Sequence, residues 1–258
     1  MKEKFELQDI LNSDNEFLEL SRRNLGVKDA EGIAQALKDN TSITSLDLCN
    51  NNIGSEGVEA IAQALKDNTS LTSLNLSCNE IGDEGADAIA QALKDNTFLT
   101  SLDLSHNEIG DEGADVIAQV IKDNTSITSL DLCNNNMGSE GAEAIAQALK
   151  DNTSLTSLDL RYMNIGQKGR EAVVKALEEN NTITTLLCSL YSMPPELTQK
   201  LSEYLKRNEQ FLIKSRFAKM KVPSAAHSPD GLFNHHKTSQ RPLELEILEE
   251  RPTPQKPK

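Results

Sequence analysis

The chain has no tryptophan, only three tyrosines and six phenylalanines in 258 residues, so aromatic stacking cannot build its core. Leucine, isoleucine and alanine must do so instead. No stretch approaches 18 consecutive apolar residues, which argues against a membrane-spanning helix. No apolar run follows the first methionine, and no signal peptide is expected. The four cysteines (Cys49, Cys78, Cys133, Cys188) show no CxxC spacing. They read as free thiols of a reducing, cytoplasmic compartment rather than as a disulfide framework or a zinc site. Basic residues are also scarce where most of the chain lies. Residues 1–210 carry 17 Lys and Arg against 35 Asp and Glu, a net −18, whereas residues 211–258 carry 9 against 5. An acidic body argues against nucleic acid, whose binding draws on neutralised phosphates. It suits a basic protein partner.

What is present is repetition. Leu46, Leu74, Leu102, Leu130, Leu158 and Leu186 lie 28 residues apart. A fixed period of this size marks a solenoid, in which each unit buries its apolar face against its neighbours. The register extends from Asn15–Ser42 to Ile183–Gln210 and gives seven units. Residues 1–14 are expected to form an N-terminal cap helix around Phe5–Leu11. Residues 211–221 flank the last unit, and 222–258 form a proline-punctuated polar tail that reads as disordered. Within that tail only Leu243–Glu250 is apolar enough to suggest a partner-binding segment.

Each unit changes period halfway. Leu74-Asn75-Leu76 alternates as a short strand, leucines inward and Asn75 outward. Gly82 and Gly85 bracket the turn into a helix, with Asp83 as its expected N-cap. Ala86, Ile89, Ala90 and Leu93 then follow at helical spacing, and Lys94-Asp95-Asn96 stops the helix. Asn51, Asn79, Asn107 and Asn135 share one column. A buried amide there can satisfy backbone groups of its own and adjacent turns. The column breaks at Arg23 and Met163, as terminal repeats should. Asn40, Asn68, Asn124 and Asn152 begin N-T-S triplets. They are expected to end helices in the left-handed conformation that asparagine tolerates.

The consensus LxxLxLxxNxIGxxGxxxIAxALKxN resembles the ribonuclease-inhibitor type of leucine-rich repeat over residues 15–210. Repeat domains of NOD-like receptors, ribonuclease inhibitor and Ran GTPase-activating protein are similar. The resemblance implies an α/β fold: a right-handed solenoid or horseshoe with a parallel sheet on its concave face and helices outside. It also implies a protein-binding role. Such repeats occur in bacteria that live in host cells and in protists, so an effector acting in a host cell falls within this reading. Two alternatives stand beside it. One is a GTPase activator resembling Ran GTPase-activating protein, against which the net basic tail counts. The other is an actin regulator, because LEENNTITTLLCSLY and LKRNEQFL resemble the last repeats of tropomodulin.

Candidate binding residues fall on the outward strand columns. One column reads Glu19, Asp47, Asn75, Asp103, Asp131, Asp159, and carboxylates about 4.8 Å apart repel by roughly 1 kcal/mol per pair in a water-like medium. A basic partner relieves this repulsion. The plainer reading is that Asp is simply the copied residue of the repeat. Two further columns, Ser21 to Arg161 and Arg22 to Tyr162, vary more than the scaffold. Asp47, Asp103, His106, Asp131, Asp159, Arg161 and Tyr162 are therefore the expected protein-binding residues, with Arg161 and Tyr162 as anchors because both types are enriched at hot spots. A surface pair at the end of the array is the alternative for these two. His106 lacks a nucleophile and a supporting acid, so no catalytic residue is expected. A flat row of single carboxylates offers no metal shell, and the tail histidines His227, His235 and His236 lack zinc spacing. GxxG without a following lysine is no phosphate loop. The chain is thus expected to be a monomer without cofactor or metal, binding protein rather than nucleic acid or membrane.

Overall fold

The structure is a computed structural model and describes residues 15–188 and 193–219. The expected cap helix at 1–14 and the tail from 222 lie outside them. Seven strands follow one another: β1 (Phe17–Glu19), β2 (Ser45–Asp47), β3 (Ser73–Asn75), β4 (Ser101–Asp103), β5 (Ser129–Asp131), β6 (Ser157–Leu160) and β7 (Thr185–Cys188). Each is followed by a helix: α1 (Val27–Asp39), α2 (Gly54–Asp67), α3 (Gly82–Asp95), α4 (Asp111–Asp123), α5 (Ser139–Asp151), α6 (Gly166–Glu179) and α7 (Pro195–Lys219). The strands pair in parallel in sequence order and leave the sheet open. Their register is the repeat itself, Leu46 against Leu74 and Leu102 against Leu130. This is the leucine-rich-repeat solenoid. The helix α7 begins at the second proline of Pro194-Pro195, as a fixed φ at a first turn favours, and runs past residue 210.

One unit shows how the core closes. Leu71, Leu74, Leu76, Ile81, Ile89 and Leu93 are all buried, as are Ala86, Ala90 and Ala92. Each large side chain contributes about 1.5–3 kcal/mol on burial. The small alanines let α3 sit close to α2 and α4, because a bulkier side chain at those places would separate them. Gly85 leaves room for the buried Ile81 at the start of its own helix, since a Cβ there would come within 2.2 Å of Ile81 Cγ2.

The predicted asparagine column is buried and bonded. Asn79 Nδ2 donates to the carbonyls of Leu48, Leu76 and Ser77 at 2.9–3.0 Å. Asn107 Oδ1 accepts the Asn79 N–H at 2.8 Å, and Asn135 Oδ1 accepts those of Asn107 and Ile109, each at 3.0 Å. A second ladder stands at the other end of the helices. Asn68 Nδ2 donates to the Leu37 and Asn40 carbonyls, while its Oδ1 accepts the Ser70 and Leu71 N–H groups. Asn96, Asn124, Asn152 and Asn180 repeat this pattern. These residues do end the helices, but not in the expected left-handed conformation: Asn68 has φ −75° and ψ 128°. The side chain reaches back to satisfy carbonyls of the preceding helix end, which leaves the backbone extended and ready to enter the next strand.

The N-terminal turns also differ from expectation. Asp83 does not cap its own helix. Its Oδ1 accepts the N–H groups of Gly110 and Gly113 in the next unit, at 2.7 and 2.9 Å. Asp111 does the same for Gly138 and Gly141. Where the preceding unit supplies such an aspartate, the glycine that opens the turn is extended, with φ −93° at Gly110 and −98° at Gly138. Where it supplies Val27, Ser55 or Ser139, the glycine takes positive φ, 65° at Gly54, 61° at Gly82 and 62° at Gly166. Gly54 and Gly82 then donate forward to the Asn79 and Asn107 carbonyls. One carboxylate in the preceding unit thus accompanies one of two turn geometries.

The last unit ends the stack with an arginine. Arg207 Nη2 donates to the Leu177 and Asn180 carbonyls at 2.6 Å, beside the buried Asn208 amide. Its guanidinium lies 5.2 Å from the Tyr204 ring centroid. These contacts satisfy carbonyls that a further repeat would otherwise take.

Candidate partner-binding surface

The outward strand columns meet along one face of the sheet, and their C-terminal ends open into a loop edge. Asp47, Asp103 and Asp131 are half-buried on this face, and Asp159 is buried. Their carboxylates are not idle. Asp47 Oδ1 accepts the Cys49 N–H, Asp103 Oδ1 that of Ser105, and Asp131 Oδ1 that of Cys133, at 2.8–2.9 Å. Asn75 makes the equivalent bond to Ser77. A side-chain oxygen bonded two residues ahead shapes the exit from each strand, which explains why Asp or Asn recurs here whatever the face binds.

Asp159 departs from the picture of an unpaired row. Arg161 grips it through Nε at 2.9 Å and Nη2 at 2.6 Å. The bidentate pair raises the Arg161 pKa, with the hydrogen bond to Asp159 as its main cause. Asp131, next along the sheet, has no such clamp among the described residues. Burial lifts its pKa to about 6, the Cys133 N–H opposes that lift, and the neighbouring Asp103 and Asp159 reinforce it. Asp131 is thus a carboxylate whose charge this face disfavours, while Asp159 serves to hold Arg161.

The more variable column has a backbone signature that the sequence did not announce. Arg22, Asn50, Cys78, His106, Asn134 and Tyr162 all adopt φ between 52° and 58°. Such left-handed geometry is strained for a tyrosine or an arginine. It turns these side chains out of the sheet edge. His106 Nδ1 lies 2.7 Å from Asn134 Nδ2. Tyr162 is 54 % exposed, with the Arg161 guanidinium 6.0 Å from its ring. Together with Glu108, Asn136 and Asn164 they line an open, polar cleft of about 550 Å³. The structure brings His106 and Tyr162 to this cleft. It sets Asp103, Asp131, Asp159 and Arg161 on the adjoining sheet face, and Asp47 farther along it.

Asp131, Cys133 and Asp159 bring three ligand-type atoms within 4.8 Å of one another. Burial and the two carboxylates push the Cys133 thiol up to about 12, so it stays protonated near neutrality, and Asp159 is occupied by Arg161. No helix of the described residues is long and apolar enough to cross a membrane.

Comparison with known proteins extends the picture. The model of the TMOD/LMOD leucine-rich domain matches residues 83–211, and a leucine-rich-repeat model matches 39–62 and 67–90. The solved structure of leiomodin-1 actin-binding site 2 is 26% identical, with a TM-score of 0.58, covering 62% of this chain and 94% of that one. The tropomodulin C-terminal domain of Caenorhabditis elegans is 20% identical with a TM-score of 0.54, covering 62% and 98%, a likeness of fold. The leucine-rich-repeat protein LegL7 of Legionella pneumophila is 23% identical over 70% of this chain and 58% of that one, at a TM-score of 0.47. No curated protein sequence matches.

Proposed function

Since the chain belongs to the TMOD/LMOD leucine-rich-domain family, we propose that it is a non-enzymatic scaffold that binds a protein partner, with actin as that partner. The observation that carries this reading is the match over half the chain, joined by the structural likeness to a domain whose own description is an actin-binding site. The surface proposed for contact is the sheet face from Asp103 to Asp159 together with the loop edge at His106 and Tyr162. Asp103 and Asp131 present negative charge to a basic segment of the partner, and electrostatic complementarity of this kind acts mainly on association. Tyr162, exposed and backed by Arg161, serves as the anchor that slows dissociation. Cytoplasmic location and a monomeric state belong to the same proposal.

The test is direct binding of the purified full chain to labelled monomeric actin and co-sedimentation with actin filaments. Saturable binding that weakens for Tyr162→Ala and for Asp131→Lys supports the reading. No binding to either form of actin would remove actin as the partner. Stimulated GTP hydrolysis by a Ran-type GTPase serves as the control for the activator alternative.

A further inference from the structure

Cys49 lies two residues beyond β2 and Cys78 three residues beyond β3, one residue out of register on neighbouring units. The Asn50 N–H donates to the Ser77 carbonyl at 2.8 Å, which sets the Cys49–Asn50 peptide against the Ser77–Cys78 peptide. The ladder continues past the strand ends here, with the Leu48 N–H on the Asn75 carbonyl at 2.9 Å, and backbones about 4.8 Å apart that rise about 3.3 Å per residue would place a diagonal pair roughly 6 Å apart at Cα. A disulfide spans Cα separations of roughly 4.4–6.8 Å. The Cys78 backbone is left-handed, φ 56°, and the pKa of its thiol is raised by burial first and then by the nearby Cys49 thiol. Both cysteines are half-buried. The other two cysteines lie in later units, away from this pair. Cys133 is buried among Asp131, Asp159 and Arg161, and its thiol is pushed up to about 12, while burial pushes Cys188 up to about 11. Near neutrality few of those two thiols ionise, and the thiolate is the reactive form.

We propose that Cys49 and Cys78 form a dithiol site that closes reversibly to a disulfide by exchange with a low-molecular-weight disulfide. The thiolate of one cysteine attacks a sulfur of the reagent, forming a mixed disulfide and releasing one small thiolate. The thiolate of the other cysteine attacks the protein-bound sulfur, closes the Cys49–Cys78 bond and releases the second. Each step breaks one S–S bond and makes one. The protein gives up two electrons and two protons, and the reagent leaves as two thiols. Closure joins the second and third units beside Asp47, whose carboxylate already holds the Cys49 N–H.

The test incubates the folded full chain with glutathione disulfide, alkylates the remaining thiols, and maps tryptic peptides by mass. Trypsin separates Cys49 from Cys78 at Lys66. The expected result is loss of two of the four thiols and one cross-linked pair, residues 39–66 joined to 67–94, reversed by dithiothreitol. Cys49→Ser and Cys78→Ser should each abolish the cross-link and trap a glutathione adduct on the remaining partner. Cys133→Ser should retain the cross-link. Stable adducts on Cys49 and Cys78 without the cross-link would overturn the proposal. Equal yields of pairs involving Cys133 or Cys188 would also overturn it.

Discussion

Replacing Asn135 with alanine should destabilise the solenoid more than replacing Asn107, although both sit in the same column and both are buried. The difference lies in what each deletion leaves behind. Asn107 Nδ2 donates to the Leu76 and Ser105 carbonyls, but Leu76 O keeps Asn79 Nδ2 and Ser105 O keeps the Cys78 N–H. Only the buried Asn79 N–H loses its acceptor. Asn135 Oδ1 accepts two N–H groups, those of Asn107 and Ile109, and both lose it. A buried donor left unpaired costs about 1–3 kcal/mol. Asn107→Ala should therefore cost about 1–3 kcal/mol, and Asn135→Ala about 2–6 kcal/mol, at two donors rather than one. Asn164→Ala, on the exposed loop edge, should stay within about 0.5 kcal/mol. The assay is urea unfolding followed by far-ultraviolet circular dichroism, because the chain has no tryptophan to report by fluorescence. Equal midpoints for Asn135→Ala and Asn164→Ala would refute the argument that the ladder is held by these bonds. A larger loss for Asn107→Ala than for Asn135→Ala would refute the accounting by unpaired donors.

Three further outcomes follow from named contacts. Asp83→Ala removes the carboxylate that holds Gly110 and Gly113 N–H, so thermal unfolding should show a loss of about 1–2 kcal/mol, the scale of a lost helix cap, with Asp87→Ala near neutral. The raised pKa of Asp131 means the folded state keeps a proton that the unfolded state has lost between pH 3.8 and about 6. Its contribution therefore falls as pH rises through that window and is constant above it. Asp131→Asn should raise the melting temperature at pH 7.5, and the gain should shrink as pH falls from 6 to 4. Arg161→Ala leaves the Asp159 carboxylate buried without its partner, and denaturant titration should show a loss of about 1–3 kcal/mol, discounted for the partial exposure of Arg161.

The period alone placed every strand, because leucines 28 residues apart have one way to share a core. The Asn51–Asn135 column was legible for the same reason: an amide among leucines must be paired. The second ladder was read only as helix ends, since Asn in N-T-S also suits a left-handed cap, and local sequence does not distinguish the two conformations. Asp83 looked like an N-cap because capping rules are local, whereas its partners lie 27 and 30 residues away. The left-handed column at Cys78, His106 and Tyr162 carried no glycine or asparagine signature in those units. The acidic column was visible, but the Asp159–Arg161 clamp depends on an arginine rotamer that spacing does not specify. The candidate surface was thus legible as columns, and the pairing of Asp159 with Arg161 and the exposure of Tyr162 came from side-chain geometry.

The central claim is that the chain binds its partner through the sheet face and loop edge rather than through the helices. The most direct measurement is the dissociation constant for actin of the wild type, Tyr162→Ala and the helix-face variant Lys94→Glu, measured side by side at one ionic strength. The account predicts at least tenfold weaker binding for Tyr162→Ala, as removal of an anchor worth about 1.4 kcal/mol or more would give, and wild-type affinity for Lys94→Glu. Loss of binding in Lys94→Glu with Tyr162→Ala unchanged would contradict it and move the site to the helices.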